Sequence, residues 1–212
     1  MGGIRNLEYD MLREASWKRM EAQRNISFFT FTSSITIFGI GIAIEEISKY
    51  IFLLPLVVIL PFSIKIYQCK KAIACIGAYM IVFLESEKHS YRWETDSYFL
   101  KMDSKDFQNR NVISSLADAE FFMLAMVSWF LYAIFFYLEA GSVQTMIYKW
   151  FDMTVLLVTL AMICFIFYVT KQYSLFNKMI NLYIKQWNQY AFDAERITDE
   201  KYNDNIARYK LE

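Results

Sequence analysis

The sequence is poor in the residues that build disulfide-stabilised, metal-dependent or loop-rich proteins. Its 212 residues include 2 prolines, 6 glycines, 3 cysteines and 1 histidine. The spacing of Cys69, Cys75 and Cys164 shows no disulfide pattern. His89 stands alone, so neither a zinc-binding His–Cys set nor a Ser–His–Asp or Cys–His catalytic site is expected. A glycine-rich phosphate loop is also missing. We therefore expect no enzyme, no metal site and no cofactor.

The chain also lacks net charge, because 22 Lys and Arg residues are balanced by 22 Asp and Glu residues. No overall positive field draws it to nucleic acid, and duplex nucleic acid is not an expected partner. What the chain has in excess is apolar residues, which make up 56% of it, with 18% aromatic. These residues cluster into long runs separated by charged stretches, which is typical of membrane proteins.

Four apolar runs cover residues 26–44, 50–68, 121–138 and 153–169. Each is long enough to cross a hydrocarbon layer of about 30 Å at about 1.5 Å per helical residue. All Lys and Arg residues except Lys49 and Lys149 fall on one side of these runs. Since basic residues favour the cytoplasmic side of a membrane, both termini are expected in the cytoplasm, with the lipid bilayer as one partner.

The predicted fold is an all-α membrane protein with four transmembrane helices in two hairpins and long cytoplasmic helical extensions. Its predicted segments are a cytoplasmic N-terminal helix over 1–25, a first transmembrane hairpin over 26–68, a cytoplasmic helical segment over 69–118, a second transmembrane hairpin over 119–170 and a cytoplasmic C-terminal helix over 171–212.

The first apolar run carries small hydroxyl residues, and the second carries both prolines. Thr30, Ser33, Ser34 and Thr36 can pack against a neighbouring helix or line a pore. No ionised residue lies at the middle of a run, which disfavours an ion-coupled transporter. Pro55 and Pro61 predict a kink in span two, and this kink is either a bending element for gating or a packing accommodation.

The tail has the clearest helical period in the chain. An aromatic-rich seam of alternating three- and four-residue steps continues from the fourth run. Its central members are Phe176, Ile180, Tyr183, Trp187 and Tyr190. Two contacts are compatible with this pattern: packing on the N-terminal helix of the same subunit, or an oligomer seam between subunits.

A cytoplasmic signal-binding surface is predicted between the two hairpins. The candidate residues combine cations with a flat ring, a composition that suits phosphates and stacked bases. They are Lys88, Arg92, Trp93, Lys101 and Arg110. The same composition also suits an ordinary solvated helix-turn region.

Short strings in the first half of the chain resemble a known group of proteins. These are residues 8–14 (EYDMLRE), residues 76–79 (IGAY), residues 83–85 (FLE) and Trp93-Glu94. Together with the two-hairpin layout, they resemble small bacterial four-span effectors of anti-phage defence loci, and are most similar to the transmembrane effectors of the Hailong system. The resemblance covers the N-terminal helix through Glu94 best, whereas the tail is similar only in being helical.

The resemblance implies a homo-oligomeric channel that breaches the bacterial inner membrane during infection. It also implies a signal made by a partner nucleotidyltransferase, with a short oligodeoxyadenylate as the candidate. The leading hypothesis is therefore an oligomeric membrane channel or membrane-disrupting effector, gated through its cytoplasmic helices. The alternative is a non-conducting membrane scaffold that recruits a soluble partner.

Overall fold

The computed structural model describes residues 2–44, 48–85, 95–96, 119–141, 150–174 and 176–209. Every regular element in this part of the chain is helical. In chain order the elements are α1 (Gly2–Ala43), a 3₁₀ turn (Lys49–Leu53), α2 (Leu54–Tyr79), a π turn (Met80–Leu84), α3 (Glu120–Ala140), α4 (Trp150–Ser174), α5 (Phe176–Asp193) and α6 (Asp199–Tyr209).

Four of the described helical stretches are long and apolar enough to span a membrane. They are Leu7–Ala43, Lys49–Leu84, Glu120–Glu139 and Trp150–Gln172. This confirms the predicted all-helical class with four apolar helices. α1 continues without interruption from the charged N-terminal stretch into the first apolar run, because no proline interrupts residues 2–43 and its glycines are tolerated there.

The chain divides into two compact units, and the divisions fall within α1 and α2. The first unit comprises Met1–Ala22, Gln68–Ile113 and Ser174–Glu212. The second unit comprises Gln23–Tyr67 and Ser114–Tyr173, and it contains the apolar runs.

The core of the second unit is formed by α2, α3 and α4. Ile59, Ala125 and Ile166 are completely buried in it. The Trp129 indole Nε1–H donates to the Leu156 carbonyl oxygen at 3.2 Å, so this polar atom of α3 is satisfied within the unit. Because lipid is as apolar as these side chains, close van der Waals packing rather than exclusion from water stabilises such a core in a bilayer.

The two prolines of span two have different positions in α2. Pro55 lies in the first turn of the helix, where a missing N–H leaves no intrahelical hydrogen bond unmade. A proline is tolerated at this position, and the gating kink predicted for Pro55 stays a prediction. Pro61 lies inside α2, where it removes the hydrogen bond to the carbonyl four residues earlier, and its gating role stays a prediction.

The core of the first unit joins the end of α2 and the π turn to α5 and α6. Ala78, Ile184 and Ala191 are fully buried there, with Val82 and Tyr209 beside them. Ile180, Tyr183 and Trp187 of the predicted seam pack against this same core. These side chains therefore have a partner within the chain, and the seam between subunits stays a prediction.

The tail is two helices, whereas the sequence predicts one over residues 171–212. α5 ends in a Schellman turn: the Arg196 N–H donates to the Ala191 carbonyl at 2.8 Å, and the Glu195 N–H donates to the Phe192 carbonyl at 2.9 Å. Glu195 adopts the left-handed conformation that this turn requires, with φ 53°. Ala194 and Ile197, which continue the same helical spacing in the sequence, consequently lie in the turn before α6.

Candidate functional site

Five residues are predicted from the sequence to bind a signal. Lys88, Arg92, Trp93, Lys101 and Arg110 all lie outside the described residues. Three other features of the described chain are candidates for function: a hydroxyl-bearing face of α1, a buried ion cluster in the second unit and a cavity in the first unit.

The hydroxyl residues of α1 divide between two faces of the helix. Thr30 and Ser34, four residues apart, are completely buried. Thr32 and Thr36, also four residues apart, are exposed, and Ser33 beside them is partly exposed. The buried pair therefore packs inside the subunit, while the other three residues, hereafter the hydroxyl face, point away from it.

Each hydroxyl hydrogen on the hydroxyl face is donated to the helix backbone. Thr32 Oγ1 donates to the Phe28 carbonyl at 2.7 Å, Ser33 Oγ to the Phe29 carbonyl at 2.7 Å, and Thr36 Oγ1 to the Thr32 carbonyl at 2.9 Å. Because the hydrogens point back at the helix, the surface of this face presents hydroxyl oxygens that can accept hydrogen bonds or contact cations.

The remaining exposed surface of α1 in the second unit is strongly apolar. A helix turns once per about 3.6 residues, which places four of these apolar side chains on a strip beside the hydroxyl face, whereas Phe29 and Ile40, which are also exposed, lie among the hydroxyl residues. The strip consists of Phe28, Phe31, Ile35 and Ile42, each at least half exposed. Such a strip suits lipid, whereas the hydroxyl face suits water or another polar helix surface.

A buried ion cluster lies among the 3₁₀ turn, α3 and α4 in the second unit. Lys49 Nζ is 2.6 Å from Glu139 Oε2 and 2.9 Å from Asp152 Oδ2. The hydroxyls of Tyr50 and Tyr132 both donate to Asp152 Oδ1. The Lys49 ammonium also lies 4.9 Å from the centroid of the Phe136 ring, a cation–π contact.

This cluster changes the view of Lys49 and Asp152 given by the sequence. Lys49 and Asp152 lie just outside the second and fourth apolar runs of the sequence, yet they are only 8% and 7% exposed. Glu139, just after the third run, has a half-exposed side chain. The sequence contained one indication of this cluster: Lys49 and Lys149 are the two basic residues that do not lie on the same side of the apolar runs as the others. A basic residue on that side is unusual, which suggests that it has a specific partner.

The first unit contains a cavity of about 350 Å³ formed by α1, the end of α2, the π turn and the α5–α6 corner. Its lining includes two cations, Arg196 and Lys201, one carboxylate, Glu8, and two aromatic rings, Tyr79 and Phe83. This volume falls at the lower end of the roughly 300–1,000 Å³ of small-molecule pockets. Cations beside aromatic rings are the side chains expected of the signal-binding surface. In this cavity they are supplied by residues other than the five predicted from the sequence.

Two hydrogen bonds hold the start of α1 beside this cavity. Tyr79 donates its hydroxyl to Glu8 Oε1 at 2.8 Å, and Tyr9 donates its hydroxyl to the buried Glu85 Oε1 at 3.2 Å. Glu85 also accepts the Thr95 backbone N–H at 2.7 Å. Three separate segments of the sequence thus meet through Glu85 and its neighbours.

The described residues include no group of three or more His, Cys, Asp or Glu side chains that could hold a metal ion. Comparison with known proteins gives no match to a family model, a curated protein or a solved structure.

Proposed function

We propose that this protein is an oligomeric membrane channel of bacterial anti-phage defence that breaches the inner membrane. Its path is gated through the cytoplasmic helices by a nucleotide or short oligonucleotide signal. The observation that carries the proposal is the hydroxyl face of α1, three hydroxyl side chains on the outward surface of an apolar stretch of helix. The defence role and the nucleotide signal come from the sequence resemblance.

The hydroxyl face supports a channel because, in the part of the chain that the structure describes, its hydroxyls bond only to the backbone of α1 itself. Thr32 and Thr36 point away from the core, although Thr30 and Ser34 on the same helix are buried within it. One helix face cannot enclose an aqueous path, so several copies must arrange their α1 helices around it. Oxygen atoms with no formal charge still carry partial negative charge, so an ion path lined by hydroxyl oxygens should favour cations over anions.

Gating through the first unit follows from the continuity of α1. The same helix carries Glu8 beside the cavity and Thr32 and Thr36 on the hydroxyl face. A ligand that prefers one arrangement of the first unit shifts the population of the arrangements that α1 adopts. This supports a channel whose cytoplasmic helices form the regulated part.

The test is ion flux through liposomes that contain the purified full-length protein, with and without oligodeoxyadenylate. Replacing Thr32 and Thr36 together by Val should change the flux and its cation preference. The matched control is Thr154→Val, because Thr154 is exposed on α4 and also donates to a carbonyl one turn earlier, that of Trp150, at 2.8 Å. Liposomes that stay tight with and without the signal would overturn the channel proposal.

A membrane scaffold is the second candidate, and one observation favours it. Leu7, Met11 and Trp17 on the part of α1 in the first unit are each more than 60% exposed. Apolar side chains of this size on a surface are suited to a protein partner. The scaffold would be favoured if the protein conducts no ions yet retains a soluble partner after its spans are replaced by a generic membrane anchor.

A further inference from the structure

The cavity of the first unit contains a carboxylate in the position that an anionic ligand would use. Glu8 Oε1 accepts the Tyr79 hydroxyl hydrogen at 2.8 Å, and Arg196 lines the same cavity. Within the part of the chain that the structure describes, no carboxylate forms an ion pair with Arg196. Its guanidinium instead lies 5.8 Å from the centroid of the Tyr190 ring. The cavity therefore offers the Arg196 guanidinium and the Tyr79 hydroxyl to an anionic ligand, with the Glu8 carboxylate as an internal anion nearby.

We propose that this cavity binds a small planar molecule carrying a phosphate group, and that Glu8 is a built-in competitor for that phosphate. The proposal deepens the proposed function, on which its gating consequence rests. The phosphate would accept the Tyr79 hydroxyl hydrogen and pair with Arg196, while like-charge repulsion displaces the Glu8 carboxylate. Arginine suits this role because its planar guanidinium donates two parallel hydrogen bonds to a phosphate.

The rest of the lining fits the planar part of such a ligand. The Tyr79 and Phe83 rings lie with centroids 4.8 Å apart, and both pack edge-on against Trp187, which leaves their orientation fixed. A fixed aromatic wall suits a base or another flat ring, since stacking is tolerant of the identity of that ring. Val82 and Leu84 of the π turn line the cavity too. Single π turns are frequent at functional sites.

Displacement of Glu8 would loosen the start of α1. Glu8 and Tyr9 are adjacent, and their side chains bond to Tyr79 at the end of α2 and to Glu85 after the π turn. A ligand that takes the Tyr79 hydroxyl removes the first of these bonds. Ligand binding and the position of α1 are then coupled. In the ligand-free protein, the Glu8 carboxylate helps to hold α1 in place through its bond to Tyr79.

The binding test uses the full chain in detergent with three probes: inorganic phosphate, deoxyadenosine monophosphate and uncharged deoxyadenosine. Titration calorimetry should show that the monophosphate binds more tightly than either other probe. Glu8→Gln keeps an oxygen that accepts from Tyr79 but removes the charge, so the monophosphate should bind roughly 5- to 10-fold more tightly while deoxyadenosine is unaffected. Arg196→Gln should weaken monophosphate binding by at least about 10-fold.

The matched control is Arg19→Gln, because Arg19 is an exposed cation on α1 that does not line the cavity. It should leave all three affinities unchanged. The proposal is overturned if the wild-type chain does not bind the monophosphate, or if Glu8→Gln binds it no more tightly than wild type. Because binding is measured in detergent, the channel and the site can be tested separately. If the liposomes stay tight but the affinity changes are observed, the channel is rejected and the site is kept. If the liposomes conduct ions but the affinity changes are absent, the site alone is rejected.

Discussion

The Lys49 ammonium lies 2.9 Å from Asp152 Oδ2, and both residues are less than a tenth exposed. Removing two charges from water costs several kcal/mol for each, and only close pairing with further hydrogen bonds offsets that cost. The hydroxyls of Tyr50 and Tyr132 supply those hydrogen bonds to Asp152. The pair therefore depends on both partners being present.

Asp152→Asn should strongly destabilise the protein, because it leaves the Lys49 ammonium buried with Glu139 as its remaining carboxylate partner in the described cluster. Breaking one side of a buried pair costs about 3–5 kcal/mol. The measurement is thermal unfolding of the full chain in detergent micelles. Adding Lys49→Met to Asp152→Asn should recover part of the loss, since the buried ammonium is then gone and the side chain of Glu139, which loses its partner Lys49, is half exposed.

The control for this prediction is an ion pair of similar length on the surface. Lys18 Nζ lies 2.7 Å from Glu14 Oε1, one turn apart on α1, and both side chains are largely exposed. Because exposed pairs contribute little to stability, Lys18→Gln should leave the melting temperature unchanged. Equal effects of Lys18→Gln and Asp152→Asn would contradict the role given to the buried cluster.

Gly41→Ala should destabilise the second unit, whereas Gly39→Ala should not. A Cβ on Gly41 would lie 2.8 Å from Phe52 Cε1 and 2.9 Å from Ile51 Cγ2, closer than real Cβ contacts allow. A Cβ on Gly39 meets nothing within 4 Å. The expected loss for Gly41→Ala is about 1–3 kcal/mol, as for other overpacked sites. Thermal unfolding of the two variants side by side provides the comparison, and identical melting temperatures would be the contrary result.

Asn205→Ala should release α6 from α5. Asn205 Nδ2 donates to Asn188 Oδ1 at 2.8 Å, and Asn188 Nδ2 donates to the Tyr202 carbonyl at 3.3 Å. Both amides are almost fully buried, so removing one leaves an unsatisfied polar atom at a cost of about 1–3 kcal/mol. Limited proteolysis should then cleave the α5–α6 corner faster. Asn203→Ala, an exposed change on the same helix, should leave the cleavage rate as in wild type.

The four long apolar helices were predictable because lipid places a strong demand on composition. A segment that crosses about 30 Å of hydrocarbon must be helical and apolar over some 20 residues, which a single sequence reveals directly. Helical spacing also pairs Thr30 with Ser34 and Thr32 with Thr36 correctly. Which pair faces inward was not predictable, because it depends on the neighbours of α1 and not on α1 itself.

The candidate sites were largely unpredictable because they join residues far apart in the chain. Lys49 meets Glu139 and Asp152 across about a hundred residues, and nothing local marks that meeting. The cavity likewise combines Glu8, Tyr79 and Arg196. The break between α5 and α6 was missed for a local reason: the left-handed residue that ends α5 is a glutamate, where a glycine would have signalled the stop.

Glu195→Gly should stabilise the α5–α6 corner because it relieves that left-handed strain. A residue with a Cβ at φ 53° suffers a clash that glycine avoids, at about 1 kcal/mol, and glycine's greater freedom in the unfolded chain offsets part of the gain. A net gain of about 0.5 kcal/mol is therefore expected. Lys185→Gly, an exposed change inside α5, should instead lose about 1 kcal/mol, since glycine is a poor helix residue. Thermal unfolding measures both signs, and a loss at position 195 equal to that at 185 would mean that the left-handed turn does not govern the end of α5.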